Sequence, residues 1–318
     1  MKIDAVITWV DGNDERHRQK RRQFCPQDVL TAEDKAGDER FANIGEIFWC
    51  VASLNRFAPW LNKIYIVTDE QDPGLDDFLA ANFPSGYIPV EIVDHKTIFR
   101  GYEQYLPTFN SISIETMTWR IPGLSDHYIE FNDDLMLAQP VSPEDFFTPD
   151  GKVICYGEFS SIPFTRFTRM FKPQGTVTTK CSHANGAVEA GNSFRYIRLA
   201  HCQKALRRDF WENYYRNHPE KLISNIEHRF RSDRQFTSQA LQYVTLYNEG
   251  KCVVRSVKDD LFFMQPKPDA GYFDRKMTRL RSHKPRFLCL NSIEKLDESQ
   301  RQELMAWIEQ LLDIKLSR

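Results

Sequence analysis

The sequence predicts an α/β fold built on a largely parallel sheet, and three observations carry that expectation. β-rich runs and helix-spaced apolar residues alternate through residues 1–150, the pattern of strands joined by helices. Polar groups sit at or just past the ends of four of these runs, Asp11, Asp69, Asp94 and Asp133, so a parallel arrangement gathers them on the rim where such sheets bind ligands. Beyond residue 150 the pattern loosens into stretches rich in Phe, Thr, Ser and Gly and then separate helices. The expected division is an α/β core at 1–150 and a helical and loop lobe at 151–318, together one catalytic unit.

In order along the chain, Ile3 to Val10 form the first strand and deliver the turn cluster Asp11-Gly12-Asn13-Asp14. Glu15 to Arg40 is strongly charged and reads as solvated helix and loop. Ile44, Ile47, Phe48, Val51, Leu54 and Phe57 have helical spacing ahead of Pro59, and Lys63 to Thr68 is a compact buried strand. A helix near Leu75 to Ala81 precedes the strand Val90 to Asp94, and a helix from Ile112 to Trp119 precedes a strand at 128–137. Residues 151–195 read as loops or a small sheet covering the site. Helices are expected at 200–217, 233–248 and 297–313, the last with Leu304, Trp307, Ile308, Leu311 and Leu312 on one side.

The run at 128–137 holds the most informative residues, Asn132-Asp133-Asp134, set in an otherwise apolar strand. Asp and Asn are depleted in strands, and buried carboxylates pair, protonate or hold a cation. Two readings follow: a pair of metal-binding carboxylates, or a turn between two short strands in which the polar side chains bond their own backbone.

Composition narrows the class. The 318 residues are 41% hydrophobic and 27% charged, enough for a sizeable core, with a formal net charge of only −2 that gives no global field toward nucleic acid. No apolar run reaches the length of a membrane span, and the N-terminus lacks a secretory pattern, so a cytoplasmic protein is expected. Seven scattered cysteines without a Cys-x-x-Cys pair indicate reduced thiols, not a disulfide framework or a zinc site. Gly-x-x-x-x-Gly-Lys, Gly-x-Gly-x-x-Gly and Gly-x-Ser-x-Gly motifs are all missing. Basic candidates to face phosphate lie in the second half: Arg166, Arg169, Lys172, Lys180, Arg229, Arg231 and Arg234, although Arg229 to Arg234 equally suits a solvated helix start capped by Ser232. His183, in a loop-like sequence, and His201, at a predicted helix start, are the candidates for proton transfer.

Several segments, in order, resemble the Stealth family of sugar-phosphate transferases, which includes bacterial capsule and exopolysaccharide phosphotransferases and the animal N-acetylglucosamine-1-phosphotransferase. They are Ile3 to Gly12 with Trp9-Val10-Asp11-Gly12; Arg40 to Glu46 followed by Ala58-Pro59-Trp60 and Ile64 to Thr68; Leu106 to Ser111 and Ile114-Glu115; Phe131 to Asp134; His201, Arg229 and Asp233 to Phe236; and Leu288 to Asn291. The sequence departs from the family at Ser292, where an acidic residue is common.

The resemblance implies a Rossmann-like, glycosyltransferase-A-like sheet and transfer of a sugar-1-phosphate from a nucleotide sugar, a UDP-sugar such as UDP-GlcNAc, to a hydroxyl of a polysaccharide or other glycan acceptor. A phosphodiester forms and a nucleoside monophosphate leaves. It further implies that Asp133 and Asp134 hold Mg²⁺ or Mn²⁺, that Trp9, Asp11 and Gly12 sit by the nucleotide, and that Arg40, with Asn43 beside it, and Arg229 face phosphates. Asn110, Ser111 and Glu115 would line the sugar or acceptor side, with His201 as general base and Asp233 as the alternative. A setting in capsule or exopolysaccharide assembly follows, with peripheral association at the inner face of the plasma membrane left open. The competing readings are a metal-dependent glycosyltransferase acting at the anomeric carbon and a carbohydrate-binding subunit without chemistry.

Overall fold

The computed structural model describes residues 1–25, 44–173 and 177–316. Its strands are β1 (Ile3–Thr8), β2 (Ile64–Thr68), β3 (Val90–Asp94), β4 (His127–Asn132), β5 (Leu135–Leu137), β6 (Val153–Ser161), β7 (Arg195–Leu199), β8 (Lys204–Arg207), β9 (Cys252–Arg255), β10 (Leu261–Met264) and β11 (Phe287–Leu290). The central sheet runs β3-β2-β1-β4-β8, with the first four strands parallel and β8 antiparallel on β4. β1 and β2 are apolar almost throughout because both faces are covered. The one charged residue, Asp4, is fully buried, and its two oxygens accept from Asn62 Nδ2 and the Ser125 N–H, both at 2.7 Å.

The strand order reverses about β1: β2 and β3 lie to one side, and the chain returns to place β4 on the other. Such a switch point opens a crevice at the carboxyl ends of the two diverging strands. The sheet draws on both halves of the chain, since β8 comes from residues 204–207.

The apolar run at 128–137 is divided. β4 ends at Asn132, Asp133 and Asp134 turn, and β5 leaves the central sheet to pair antiparallel with β11 in a second sheet, β10-β11-β5. A third sheet, β7-β6-β9, lies in the second half. Helix Glu46–Phe57 is buried on two sides. Ile47, Cys50, Val51 and Leu54 join the core of the central sheet, while Trp49 and Ala52 join a second core with Met136, Leu288 and the C-terminal helix Glu298–Leu312.

Five expectations are corrected. The charged segment after Asp14 forms helix Glu15–Phe24, which does not lie wholly in solvent: His17 and Arg21 are buried, and the His17 ring meets Phe109 edge-on at 5.5 Å. The loop-like Ser182 to Gly186 lies inside helix Thr179–Glu189, started by the Thr178 hydroxyl on the Cys181 N–H. The helix expected from residue 200 begins instead at Arg208, leaving His201 in a bend between β7 and β8. The helix predicted over Ile112 to Trp119 is also shorter, Ser111–Glu115 followed by a 3₁₀ turn at Thr118–Arg120, and Ser232 caps no helix.

Gly186 explains why its helix reads as a loop: small residues let it pack closely on helix Ser238–Asn248. A Cβ there would lie 2.9 Å from the Thr237 carbonyl oxygen and 3.0 Å from Ala240 Cβ. Gly186→Ala is therefore expected to destabilise the protein by about 1–3 kcal/mol despite the better helix propensity of Ala. A urea midpoint equal to or above the parent's would contradict this packing.

All seven cysteines are free, six of them buried. Among the described residues no helix is long and apolar enough to cross a membrane.

Candidate active site

A cavity of about 770 Å³ opens at the carboxyl ends of β1, β2 and β4, reached by Thr8, Val67 and Asn132. Its walls collect acidic, basic and imidazole side chains from segments far apart in sequence.

The acidic wall is the β4–β5 turn. Asp134 is held from the second sheet: its Oδ2 accepts from Asn291 Nδ2 at 3.1 Å and Cys289 Sγ at 3.6 Å, and its carbonyl accepts the Leu290 N–H at 2.9 Å. Burial, then the carboxylates of Glu46 and Asp134, hold Asp133 well above the usual carboxylate range. Glu46 opens its helix after Gly45, whose φ of +105° favours glycine. One Glu46 oxygen accepts the Ile44 N–H at 2.8 Å, yet burial, with Glu294 and Asp134 nearby, pushes its pKa up to about 7. Carboxyl groups crowded this way are stabilised by a divalent cation, and Asn132 Oδ1 in the same turn is a buried acceptor without a hydrogen-bond partner. The turn thus fits Mg²⁺ or Mn²⁺ shared with a ligand. Among the described residues no three His, Cys, Asp or Glu side chains form a complete metal cage.

The basic groups are Lys204, Arg231 and Lys295. Lys204 on β8 stands in register with Glu130 on β4, a cross-strand pair of opposite charge. Burial works against its charge, but Glu130 and Glu115 outweigh it and raise the ammonium pKa. Gln239 Nε2 joins those carboxyls, donating to Glu115 Oε2 at 2.9 Å and to Glu130 Oε1. Arg231 Nη2 donates to the Ser111 hydroxyl at 2.6 Å.

Glu130 has no exposed surface, and burial, reinforced by Glu115, pushes its pKa up to about 8. The unfolded chain ionises this group near 4.5 while the folded protein retains the proton, so stability falls as pH rises between those values. Glu130→Gln should remove the slope, matching the parent near the acid end and exceeding it at the alkaline end by an amount on the order of a few kcal/mol. Urea titrations at both ends check this, and a difference independent of pH would refute the assignment.

The two histidines proposed for proton transfer both border the cavity but differ in what they bond. His183 is buried, its Nδ1 accepts the Leu199 N–H at 3.3 Å, and burial lowers its pKa to about 3, so it positions β7. His201 lines the cavity against Phe263, with ring centroids 5.3 Å apart. Burial and then Lys204 lower its pKa, with Asp134 acting the other way, so the ring is neutral at pH 7.

Of the residues singled out in the sequence, Trp9, Ser111, Glu115, Asp133, Asp134, His183, His201 and Arg231 line this cavity together. Five do not. Asp11 and Gly12 lie just past it, where Asp11 binds Gln71 and the Asn13 N–H. Asn110 is buried behind it, donating to the His228 carbonyl and Gln235 Oε1 at 2.9 and 2.8 Å. Arg229 is occupied by the Pro107 and Gln104 carbonyls at 2.7 and 3.2 Å, and Asp233 pairs with Arg169 at 3.3 Å near the surface. Arg231, between them in sequence, faces the cavity in their place. Arg40 and Asn43 lie outside the described residues. Glu46 and Lys204 were not singled out as site residues. Ser292 and, two residues on, Glu294 both line the cavity.

Residues 1–26 match the family model described as Stealth protein CR1, conserved region 1, and residues 40–154 match Stealth protein CR2, conserved region 2. A capsular polysaccharide phosphotransferase of Neisseria meningitidis is 30% identical over 94% of this chain and 75% of its own length. An exopolysaccharide phosphotransferase of Streptomyces coelicolor is 35% identical over 77% of this chain, which spans 43% of that protein. The chain belongs to the Stealth family. Among solved structures, the galactosyltransferase LgtC, with donor and acceptor sugar analogues, aligns over 99% of this chain and 97% of its own at 11% identity with a TM-score of 0.49, a likeness too distant to carry function.

Proposed function

We propose that the chain transfers a sugar-1-phosphate from a nucleotide sugar, a UDP-sugar such as UDP-GlcNAc, to a hydroxyl of a polysaccharide acceptor in capsule or exopolysaccharide assembly. The observation that carries this reading is the Asp133-Asp134 turn in one cavity with Lys204, Arg231 and the neutral His201. Phosphoryl transfer requires negative charge to be neutralised from more than one side and the attacking hydroxyl to lose a proton.

Asp133 and Asp134 are the residues that would hold Mg²⁺ or Mn²⁺, and such an ion, when bound, neutralises the donor diphosphate. Lys204 and Arg231 place fixed positive charge for the non-bridging oxygens of the attacked phosphate. Ser111 fixes the Arg231 guanidinium, and Glu115 with Gln239 fixes the polar surroundings of Lys204. Trp9 gives the nucleotide an apolar wall, and Arg40 and Asn43 keep their assignments beside the donor. A ring nitrogen of His201 takes the acceptor proton as the new O–P bond forms. The bond from that phosphorus to the nucleoside phosphate breaks, and the anomeric C–O bond stays intact.

Purified protein given a UDP-sugar and an oligosaccharide acceptor should release UMP and form a phosphodiester seen by phosphorus NMR. Chelation should stop the reaction. Release of UDP with a glycosidic product would overturn this reading in favour of glycosyl transfer.

A further inference from the structure

Helix Ile162–Arg169 is anchored by its inner side: Ile162 and Thr165 are buried, and the Thr165 hydroxyl bonds Tyr196 Oη at 3.1 Å. Its outer side carries Phe164 and Phe167, which continue to Phe171 at i, i+3, i+7 spacing, with Met170 beside them. These side chains are 56–78% exposed, and Phe194, whose carbonyl accepts the Ile162 N–H, is 80% exposed. The only ring contact within the group is the edge-on pair Phe167 and Phe171 at 5.2 Å. Single exposed apolar residues are ordinary, but five large ones gathered at one place mark an interaction surface.

Charge identifies the partner. No Asp or Glu occurs from Phe159 to Val188, while Arg166, Arg169, Lys172 and Lys180 fall in that stretch of a chain whose net charge is −2. Arg166 and Lys172 are exposed on the same segment as the phenylalanines. Protruding Phe and Met flanked by Arg and Lys match the boundary between acyl chains and anionic headgroups, where rings insert and cations meet phosphate. A symmetric pairing of two copies would instead set this cationic face against itself.

We infer that this surface, Phe164, Phe167, Met170, Phe171 and Phe194 with Arg166 and Lys172, docks the protein onto an anionic phospholipid membrane. The inference stands apart from the transferase reading, because it uses none of the residues assigned to the cavity.

The test is flotation of the full chain with vesicles of phosphatidylcholine alone or mixed with phosphatidylglycerol. Binding is expected to the anionic vesicles only. The double variants Phe167→Ser/Phe171→Ser and Arg166→Glu/Lys172→Glu should each lower it about tenfold or more. All four side chains are exposed, so melting temperatures should match the parent's and turnover on a soluble acceptor should persist. Failure to bind anionic vesicles, or equal binding by parent and variants, would overturn the inference. So would a parent dimer that the serine variant converts to monomer, or a soluble anionic polysaccharide that replaces lipid as the ligand lost in both variants.

Discussion

Asp133→Asn should abolish turnover, lowering kcat by about three orders of magnitude or more, while the metal-free protein becomes more stable. Both effects have one origin. Without a cation, Asp133 lies beside Glu46 and Asp134, and the proximity of these carboxyl groups disfavours ionisation. An amide of the same shape removes that repulsion and also removes a ligand. Added Mg²⁺ or Mn²⁺ should accordingly raise the melting temperature of the parent and leave that of the variant unchanged. A variant that keeps turnover, or that responds to metal as the parent does, would remove Asp133 from the site. Asp134→Ala should behave differently, since Asp134 also receives Asn291 and Cys289. It is expected to lose stability together with activity, because buried donors are left without an acceptor.

The second large effect is expected at His201. His201→Gln should reduce kcat by about 10²- to 10⁴-fold with little change in KM for the donor, the signature of a group acting in the transition state. The pH profile gives an independent readout. Burial and Lys204 hold the imidazole below its usual range, so the acid limb of kcat/KM should lie below pH 6.5 in the parent and vanish in the variant. A preserved acid limb in His201→Gln would transfer the role to another group. His183→Gln provides the contrast: the His183 ring accepts a backbone N–H in the interior, so the expected loss there is of stability.

How much of this was legible in the sequence can be judged residue by residue. The acidic turn was visible because Asp133 and Asp134 interrupt an apolar run, and a charge in such a run requires compensation. The segment is a turn, as one reading had it, and its carboxylates line the cavity. The helix at 46–57 and the strands at 64–68 and 90–94 followed from periodicity, since each must bury a defined face. Helix Thr179–Glu189 gave no such signal, because close packing selects Ser, Ala, Asn and Gly, the residues that elsewhere mark loops. Glu130 and Lys204 are single charges in short strands, informative only when the register pairs them. The choice of Arg231 over Arg229 was hidden for a different reason. It depends on two carbonyls of the 104–107 segment that occupy the Arg229 guanidinium, and no pattern within residues 229–234 encodes them.

The departure of β5 from the central sheet makes the last part of the chain a component of the chemistry without supplying the turn itself. Asn291 grips a carboxylate 157 residues upstream, and Leu290 pins the same residue through its backbone. A polypeptide cut near residue 250 would retain all five strands of the central sheet and every acid of the β4–β5 turn, yet lose the strand that braces it. The missing piece, residues 251–318, carries β9, β10, β11 and the C-terminal helix, which supply most of the second core. Supplied as a separate polypeptide, it should reassociate through that core and restore turnover, with the two fragments inert apart and active together.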